Sequence, residues 1–205
     1  MPFYLNILFI FMFSYQVHHA GKENKNRIII DSHITLSEAL SGKEIPTTNT
    51  KNLRIVDVEY YSFDHRLHRG QLVIHKELAE DIKEIFELIK EKKFPIKKVI
   101  PINAYKWSDE TSMKDNNTSA FNYRFVSGTR TFSAHSLGRA IDINPFQNPQ
   151  IKNGKISPEG AVYSKFVPGT ITKETWLIHE FYKRGWRWGG DWNSLKDYQH
   201  FEKTK

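Results

Sequence analysis

Residues 133–145 read SAHSLGRAIDINP, and this stretch organises the interpretation of the whole chain. In its second half, small or polar residues alternate with apolar ones, which predicts a strand with Asp142 on the face opposite two isoleucines. His135 precedes this strand across a turn that Gly138 makes possible. An imidazole and a carboxylate placed in this way suit a zinc ion, provided that the chain supplies a further ligand. The alternative is a capped turn followed by a core strand that binds no metal.

The composition fits one folded domain with an extension. The chain has 205 residues, of which 39% are hydrophobic and 26% charged, as in ordinary globular proteins. The formal charge of +7 favours polyanionic partners such as the polymers of a cell wall. The chain has no basic run with interleaved aromatic residues, so nucleic acid is not an expected partner. Cysteine is absent, which excludes disulfides, thiolate metal ligands and cysteine nucleophiles.

The N-terminus indicates export. Leu5 to Phe13 is almost entirely apolar, and this run is too short to span a bilayer. Residues 1–20 therefore read as a signal peptide that is cleaved after Ala20. The expected location is extracytoplasmic: periplasm, cell envelope or secreted. The alternative is a buried N-terminal strand or helix.

Residues 21–52 read as an N-terminal extension, and residues 53–205 as the main folded domain. The clearest element is a helix over 76–92 with one apolar stripe and charges on its other face. Further elements are predicted from alternation and from capping signals: strands over 53–61, 71–75, 96–102 and 120–126, and a helix from Thr172 to Arg184. Residues 108–119 and 147–169 read as irregular connections. Strands and helices do not alternate strictly, so an α+β fold with an antiparallel sheet is expected.

Three motifs together point to a family. They are SxHxxGxAxD at residues 133–142, GGDW at residues 189–192 and DxxH at residues 197–200. The combination resembles the zinc peptidases that act on bacterial cell-wall peptides. These are the D-alanyl-D-alanine carboxypeptidases and dipeptidases and the L-alanyl-D-glutamate endopeptidases, including phage endolysins. The resemblance runs from about Val56 to Glu202, and it implies a small α+β domain with a central antiparallel sheet flanked by helices, the hedgehog/DD-peptidase type.

The resemblance also implies roles for individual residues. It makes His135, Asp142 and His200 the ligands of a Zn²⁺ ion. Asp197 matches the catalytic carboxylate of the family. Arg124 matches an arginine that steadies the substrate or the transition state.

The chemistry of these residue types supports the same assignment. Two imidazoles and one carboxylate leave a fourth zinc position for water, whose pKa the metal lowers. A carboxylate near the metal can take the proton of that water and pass it to the leaving amine. Asp197 and His200 would face opposite ways in a regular strand, so Asp197 must lie on a turn or bend. Glu202 would share the face of His200, either as the alternative base or as the partner that orients His200.

The sequence therefore predicts an exported zinc peptidase that hydrolyses amide bonds in peptidoglycan stem peptides. Two cuts remain open, release of a terminal D-alanine and cleavage between L-alanine and D-glutamate. The alternative from another class is a catalytically inactive, zinc-bearing module that binds the cell wall. Asp197 and Arg124 argue against that alternative, because a module that only binds needs neither. No protein partner is implied, and a monomer is expected.

Overall fold

The computed structural model describes residues 27–204. The predicted signal peptide over residues 1–20 and the start of the predicted extension lie outside this range, so both stay predictions. Among the residues that the structure describes, no helix has the length and apolar character needed to cross a membrane.

The described chain is a mixture of short strands and helices, which confirms the α+β class. The strands are β1 (Ile29–Ile30), β2 (Leu53–Tyr61), β3 (Leu67–His75), β4 (Lys98–Val99), β5 (Asn117–Thr118), β6 (Ala140–Asp142), β7 (Gln150–Lys152), β8 (Lys155–Ser157), β9 (Arg187–Trp188), β10 (Lys196–Asp197) and β11 (His200–Glu202). The helices are α1 (Leu36–Ala39), α2 (Thr47–Thr50), α3 (Ala79–Glu91), α4 (Asp109–Lys114) and α5 (Trp176–Lys183).

Within residues 27–204 the strands form small sheets rather than one continuous central sheet. The long strands β2 and β3 are antiparallel, and β1 adds to β3 in parallel. Strands β6, β11 and β9 form an antiparallel sheet with β11 in the middle. Strands β8, β7 and β10 form another antiparallel sheet, and β4 pairs with β5 in parallel. Strands β10 and β11 follow each other in the chain but belong to different sheets, so the DxxH motif at residues 197–200 connects the two sheets.

Helix α3 provides one wall of the main core. Its apolar stripe is buried and packs in one cluster with Val56, Val58 and Tyr60 of β2. Helix α5 contributes Leu177, Ile178 and Phe181 to the same cluster, which also holds Ile141 of β6 and Phe201 of β11. Strands β6 and β11, which carry Asp142 and His200, therefore rest on a closely packed apolar layer that holds them rigidly.

The described part of the predicted extension packs against the domain. Strand β1 lies beside β3, and α1 begins with a capping box in which Thr35 and Glu38 satisfy each other's backbone N–H groups. Ala39 joins a second apolar cluster with Val73 and Phe121. The division of the chain at residue 53 nevertheless stays a prediction.

Several predicted elements differ from the structure in type or length. Residues 120–126 do not form the predicted strand. The Phe121 N–H donates to Val73 of β3, but the N–H groups of Asn122 and Arg124 donate to the turn that carries His135, so the pairing with β3 does not continue. The predicted strand over 96–102 is limited to β4, since a 3₁₀ turn begins at Ile102. Helix α5 begins at Trp176 rather than after Thr172, because Thr175 occupies the N-cap position.

Residues 108–119, predicted to be irregular, contain helix α4. The Ser108 side chain accepts a hydrogen bond from the Thr111 N–H, and Asp109 and Glu110 lie in the first turn. A serine N-cap followed by acidic residues stabilises a helix start. This signal was present in the sequence, and the lack of an apolar stripe concealed it.

Candidate metal centre

His135 lies on a 3₁₀ turn, Ala134–Leu137, that is closed at both ends. The Ser133 side chain accepts a hydrogen bond from the His135 N–H at the start. Gly138 ends the turn with φ 65°, a conformation that favours glycine. A side chain at Gly138 would also have no room, since its Cβ would lie 2.7 Å from the backbone nitrogen of His75. The glycine therefore lets the turn press against β3 and fixes the position of His135.

Strands β6 and β11 bring Asp142 and His200 together. The two residues are direct partners in the antiparallel register, so their side chains share one face of the sheet. The His200 Nδ1 atom lies 2.9 Å from Asp142 Oδ1. The His135 Nε2 atom lies 3.3 Å from Asp142 Oδ2 and 3.1 Å from His200 Nδ1.

These three side chains are buried, and their ligand atoms lie within 4.8 Å of one another. Zinc bonds of 2.0–2.1 Å in a tetrahedral arrangement separate neighbouring ligands by about 3.3 Å, close to the observed distances. The His135 Nδ1 atom faces the carbonyl oxygen of Ala120 and donates to it, which leaves Nε2 free of a proton in the neutral ring. The structure thus brings together the three predicted ligands in a geometry that could hold a metal ion.

The contacts between these side chains shift the pKa values of Asp142 and His200. Burial alone would raise the pKa of Asp142, but His135 and His200 outweigh it and lower the pKa well below its usual range. Burial lowers the pKa of His200, but hydrogen bonds to Asp142 and Glu202 outweigh it and raise the pKa to about 10. A metal ion at this site would take the place of the His200 proton, so metal affinity should increase with pH.

Asp197 reaches the site from a different sheet. It lies at the end of β10, and the chain then bends before β11 begins at His200, as the spacing of the two residues required. Its Oδ2 atom accepts a hydrogen bond of 2.7 Å from Gln150 Nε2 on the paired strand β7. Its Oδ1 atom is buried and has no hydrogen-bond partner among residues 27–204. Burial and the nearby Asp142 carboxylate raise the pKa of Asp197.

The GGDW motif lies directly beside these groups. A Cβ atom on Gly189 would lie 2.6 Å from the Asp197 carbonyl oxygen and 3.2 Å from the His200 Cβ. Gly189 therefore allows the bend between β10 and β11 to close against the backbone. The Trp192 ring lies 5.1 Å from the His200 imidazole, centroid to centroid, and forms part of the site wall.

Glu202 contacts His200 from the other side. Its Oε2 atom lies 3.5 Å from His200 Nε2, and its Oε1 atom accepts a hydrogen bond from Arg187. The hydrogen bond with His200 is the main cause that lowers the pKa of Glu202. This contact fits the predicted alternative in which Glu202 orients His200.

Arg124 lies in the same pocket wall but is engaged with another residue. One of its terminal nitrogens forms a 2.9 Å ion pair with Asp109. Its Nε atom is buried and has no hydrogen-bond partner in the part of the chain that the structure describes. The guanidinium is thus held in place by Asp109.

A pocket of about 360 Å³ opens above the cluster. It is lined by every candidate residue predicted from the sequence: Arg124, His135, Asp142, Asp197, His200 and Glu202. Sequence reasoning missed Gln150, Lys152 and Gln199, which also line this pocket. The first two lie in a polar segment that was interpreted as a connection, so neither carried a visible signal.

Comparison with known proteins agrees with the motifs. The model of a peptidase family described as D-alanyl-D-alanine carboxypeptidase matches residues 127–203. This segment contains the three motifs and the three candidate metal ligands, and it begins just after Arg124. The resemblance found in the sequence is confirmed over this range, and a cell-wall peptidase family suggests an extracytoplasmic location. No curated protein and no solved structure matches the chain.

Proposed function

We propose that this protein is a zinc-dependent peptidase that hydrolyses amide bonds in peptidoglycan stem peptides. The observation that carries the proposal is the buried His135, Asp142 and His200 cluster at the base of an open pocket. Asp197 lines the same pocket, and its Oδ1 atom has no hydrogen-bond partner among residues 27–204. The family match supports a peptidase of the cell-wall type. The donor set, two imidazole nitrogens and one carboxylate, is one that catalytic zinc sites use with an open position.

The residues that line the pocket have separate roles in the proposed reaction. When bound, zinc supplies a Lewis acid and lowers the pKa of water. Asp197 Oδ1 is free to accept a proton from the attacking water and to return it to the leaving amine. Gln150 holds the other Asp197 oxygen and so aims the free one. The Arg124 guanidinium, which lines the pocket, can donate to the carbonyl oxygen that becomes negative during attack.

An inactive module that binds the cell wall is the second candidate, and the position of Asp197 argues against it. A buried carboxylate with a raised pKa and an unsatisfied oxygen is costly to maintain, and a module that only binds gains nothing from it.

We also propose that the protein is exported, with residues 1–20 as its signal peptide. Protein recovered outside the cytoplasm should then begin near Gly21 when its N-terminus is sequenced.

The Asp197→Asn variant tests the catalytic proposal. The amide keeps the shape of the side chain but cannot accept the proton. Turnover of defined wall peptides should fall by about 10²–10⁴-fold, the usual contribution of a positioned acid–base group, while zinc content stays at the parent value. Amine release and zinc content should be measured on the same samples.

The Glu202→Gln variant is the matched control. As the partner that orients His200, it should lose about 10- to 100-fold in metal affinity or rate. Near-parent turnover in Asp197→Asn, together with an inactive but zinc-loaded Glu202→Gln, would transfer the base role to Glu202. A zinc-loaded parent that cuts no wall peptide would favour the binding module.

A further inference from the structure

Strand β7 presents two side chains to the pocket. Side chains repeat every second residue along a strand, so Gln150 and Lys152 share one face of β7. Both residues line the pocket, and Gln150 bonds to Asp197 there. Lys152 is solvent-exposed, so it lies toward the mouth of the pocket, on the same wall that holds the candidate base.

Lys152 forms no ion pair with the residues that the structure describes. Two other charged groups of the pocket wall form ion pairs, Arg124 with Asp109 and Glu202 with Arg187. Asp197 instead accepts a hydrogen bond from Gln150. Among residues 27–204, no carboxylate oxygen lies within 4.0 Å of the Lys152 ammonium nitrogen, the limit for an ion pair. A negatively charged ligand in this pocket would therefore meet an ammonium group that no carboxylate of the described residues pairs with.

The stability of the hairpin does not explain this lysine. In the β7–β8 pairing Lys152 lies directly opposite Lys155. Like charges at opposite positions of an antiparallel pair are destabilising. Lys155 is also exposed, but it does not line the pocket. The placement of Lys152 is thus better explained by a ligand than by the fold.

The two cuts that remain open share one chemical feature. Release of a terminal D-alanine frees an amine from a residue that bears the C-terminal carboxylate. Cleavage before D-glutamate frees an amine from a residue that keeps one free carboxylate, because its other carboxyl continues the chain. In both cases the residue on the leaving-amine side of the scissile bond carries a carboxylate close to that bond.

We propose that Lys152 binds the free carboxylate of the residue that leaves as the amine. This inference rests on the proposed function and adds a specificity determinant to it. Lys152 acts as a compact positive charge on a flexible stem, which can reach the carboxylate of either substrate. Arg124, which Asp109 already engages, remains available for the carbonyl oxygen.

The test compares acid and amide forms of each substrate. Two peptides, one ending in D-alanyl-D-alanine and one containing L-alanyl-D-glutamate, are prepared with the carboxylate free and as the neutral amide. The Lys152→Met variant should lose about 10-fold in kcat/KM on a free-acid peptide, mainly through KM, as expected for one hydrogen bond to a charged group. The amide peptide should change by less than about 2-fold, with zinc content equal to that of the parent.

Lys155→Met is the matched control, since it removes the same charge from the same hairpin outside the pocket. A loss confined to the free acid in Lys152→Met supports the proposal, and the peptide that shows it identifies the source of the carboxylate. Equal changes on acid and amide, no change on either, or the same loss in Lys155→Met would overturn it.

Failure of the proposed function has a different signature. It would appear as a zinc-loaded parent that cuts none of the four peptides. Calorimetric titration of the same peptides into the parent and into Lys152→Met then tests whether Lys152 binds the carboxylate. Tighter binding of an acid than of its amide, lost in Lys152→Met, supports the carboxylate site, and equal binding of acid and amide overturns it.

Discussion

Gly189 is the residue on which the spacing of the site depends most directly. A methyl group there would lie 2.9 Å from the Asp197 Cβ and 3.2 Å from the His200 Cβ. Contacts this short cannot be accommodated without a shift of the backbone. Because the candidate base and a candidate metal ligand lie on either side, the shift would change the distance between them.

Gly189→Ala should therefore impair both function and stability. We expect a loss of about 1–3 kcal/mol in the free energy of unfolding, typical of overpacking. Turnover should fall by about 10²-fold, as a displacement of about 1 Å can cause. Denaturant unfolding and peptide turnover measure the two effects. Gly154→Asn is the control, because a Cβ there would have no atom of the described residues within 4 Å and Asn tolerates the positive φ. Parent-like turnover in Gly189→Ala would refute the argument.

At the residue scale, the sequence predicted those side chains whose motifs are local. His135, Asp142, Asp197 and His200 were all identified from short patterns, and the structure brings them into one pocket. Gln150, by contrast, acts on Asp197 from 47 residues away. Nothing in its sequence neighbourhood indicates that contact, because the pairing of β7 with β10 is a tertiary feature.

At the element scale, the hairpin β7–β8 was missed although the sequence contained its signal. Asn153 and Gly154 both have positive φ, 49° and 75°, as a two-residue type I′ turn requires. An Asn-Gly pair flanked by strand residues is the strongest local hairpin signal. The surrounding Asn, Pro, Gly and Lys residues led to the interpretation of 147–169 as a connection. Strands β2 and β3 and helix α3 were predicted because each has a clear hydrophobic period.

The pairing of β7 with β10 leads to a prediction about pH. Burial and the Asp142 carboxylate raise the pKa of Asp197, whereas the hydrogen bond from Gln150 lowers it. Asp197 must be ionised to accept a proton, so activity should fall as the pH drops through its pKa. Gln150→Ala removes an interaction that favours the ionised form, and the acid limb of the kcat/KM profile should move to higher pH.

The measurement is a pH–rate profile of the parent and of Gln150→Ala at equal zinc content. Ile151→Val, which alters the opposite face of β7, should leave the acid limb where it is in the parent. An acid limb that is unchanged in Gln150→Ala, or moves to lower pH, would show that this hydrogen bond does not support the ionised base.

At the scale of the whole molecule, the site is assembled from distant parts of the chain. His135 and His200 are 65 residues apart, and Asp142 and His200 are 58 apart. Asp197 and His200 are near neighbours in sequence yet belong to different sheets. The class of the fold could be predicted from the mixture of periodicities, but the division into small sheets could not, because strand pairing depends on contacts between distant segments.

The central claim is that His135, Asp142 and His200 hold one zinc ion that the proposed peptidase uses. The most direct test is elemental analysis of the purified parent and of the His135→Ala and His200→Ala variants, with the exposed His179→Ala as control. We expect about one zinc per chain in the parent and in His179→Ala, with loss of zinc and of peptide hydrolysis in the other two. Full zinc occupancy in both His135→Ala and His200→Ala would contradict it.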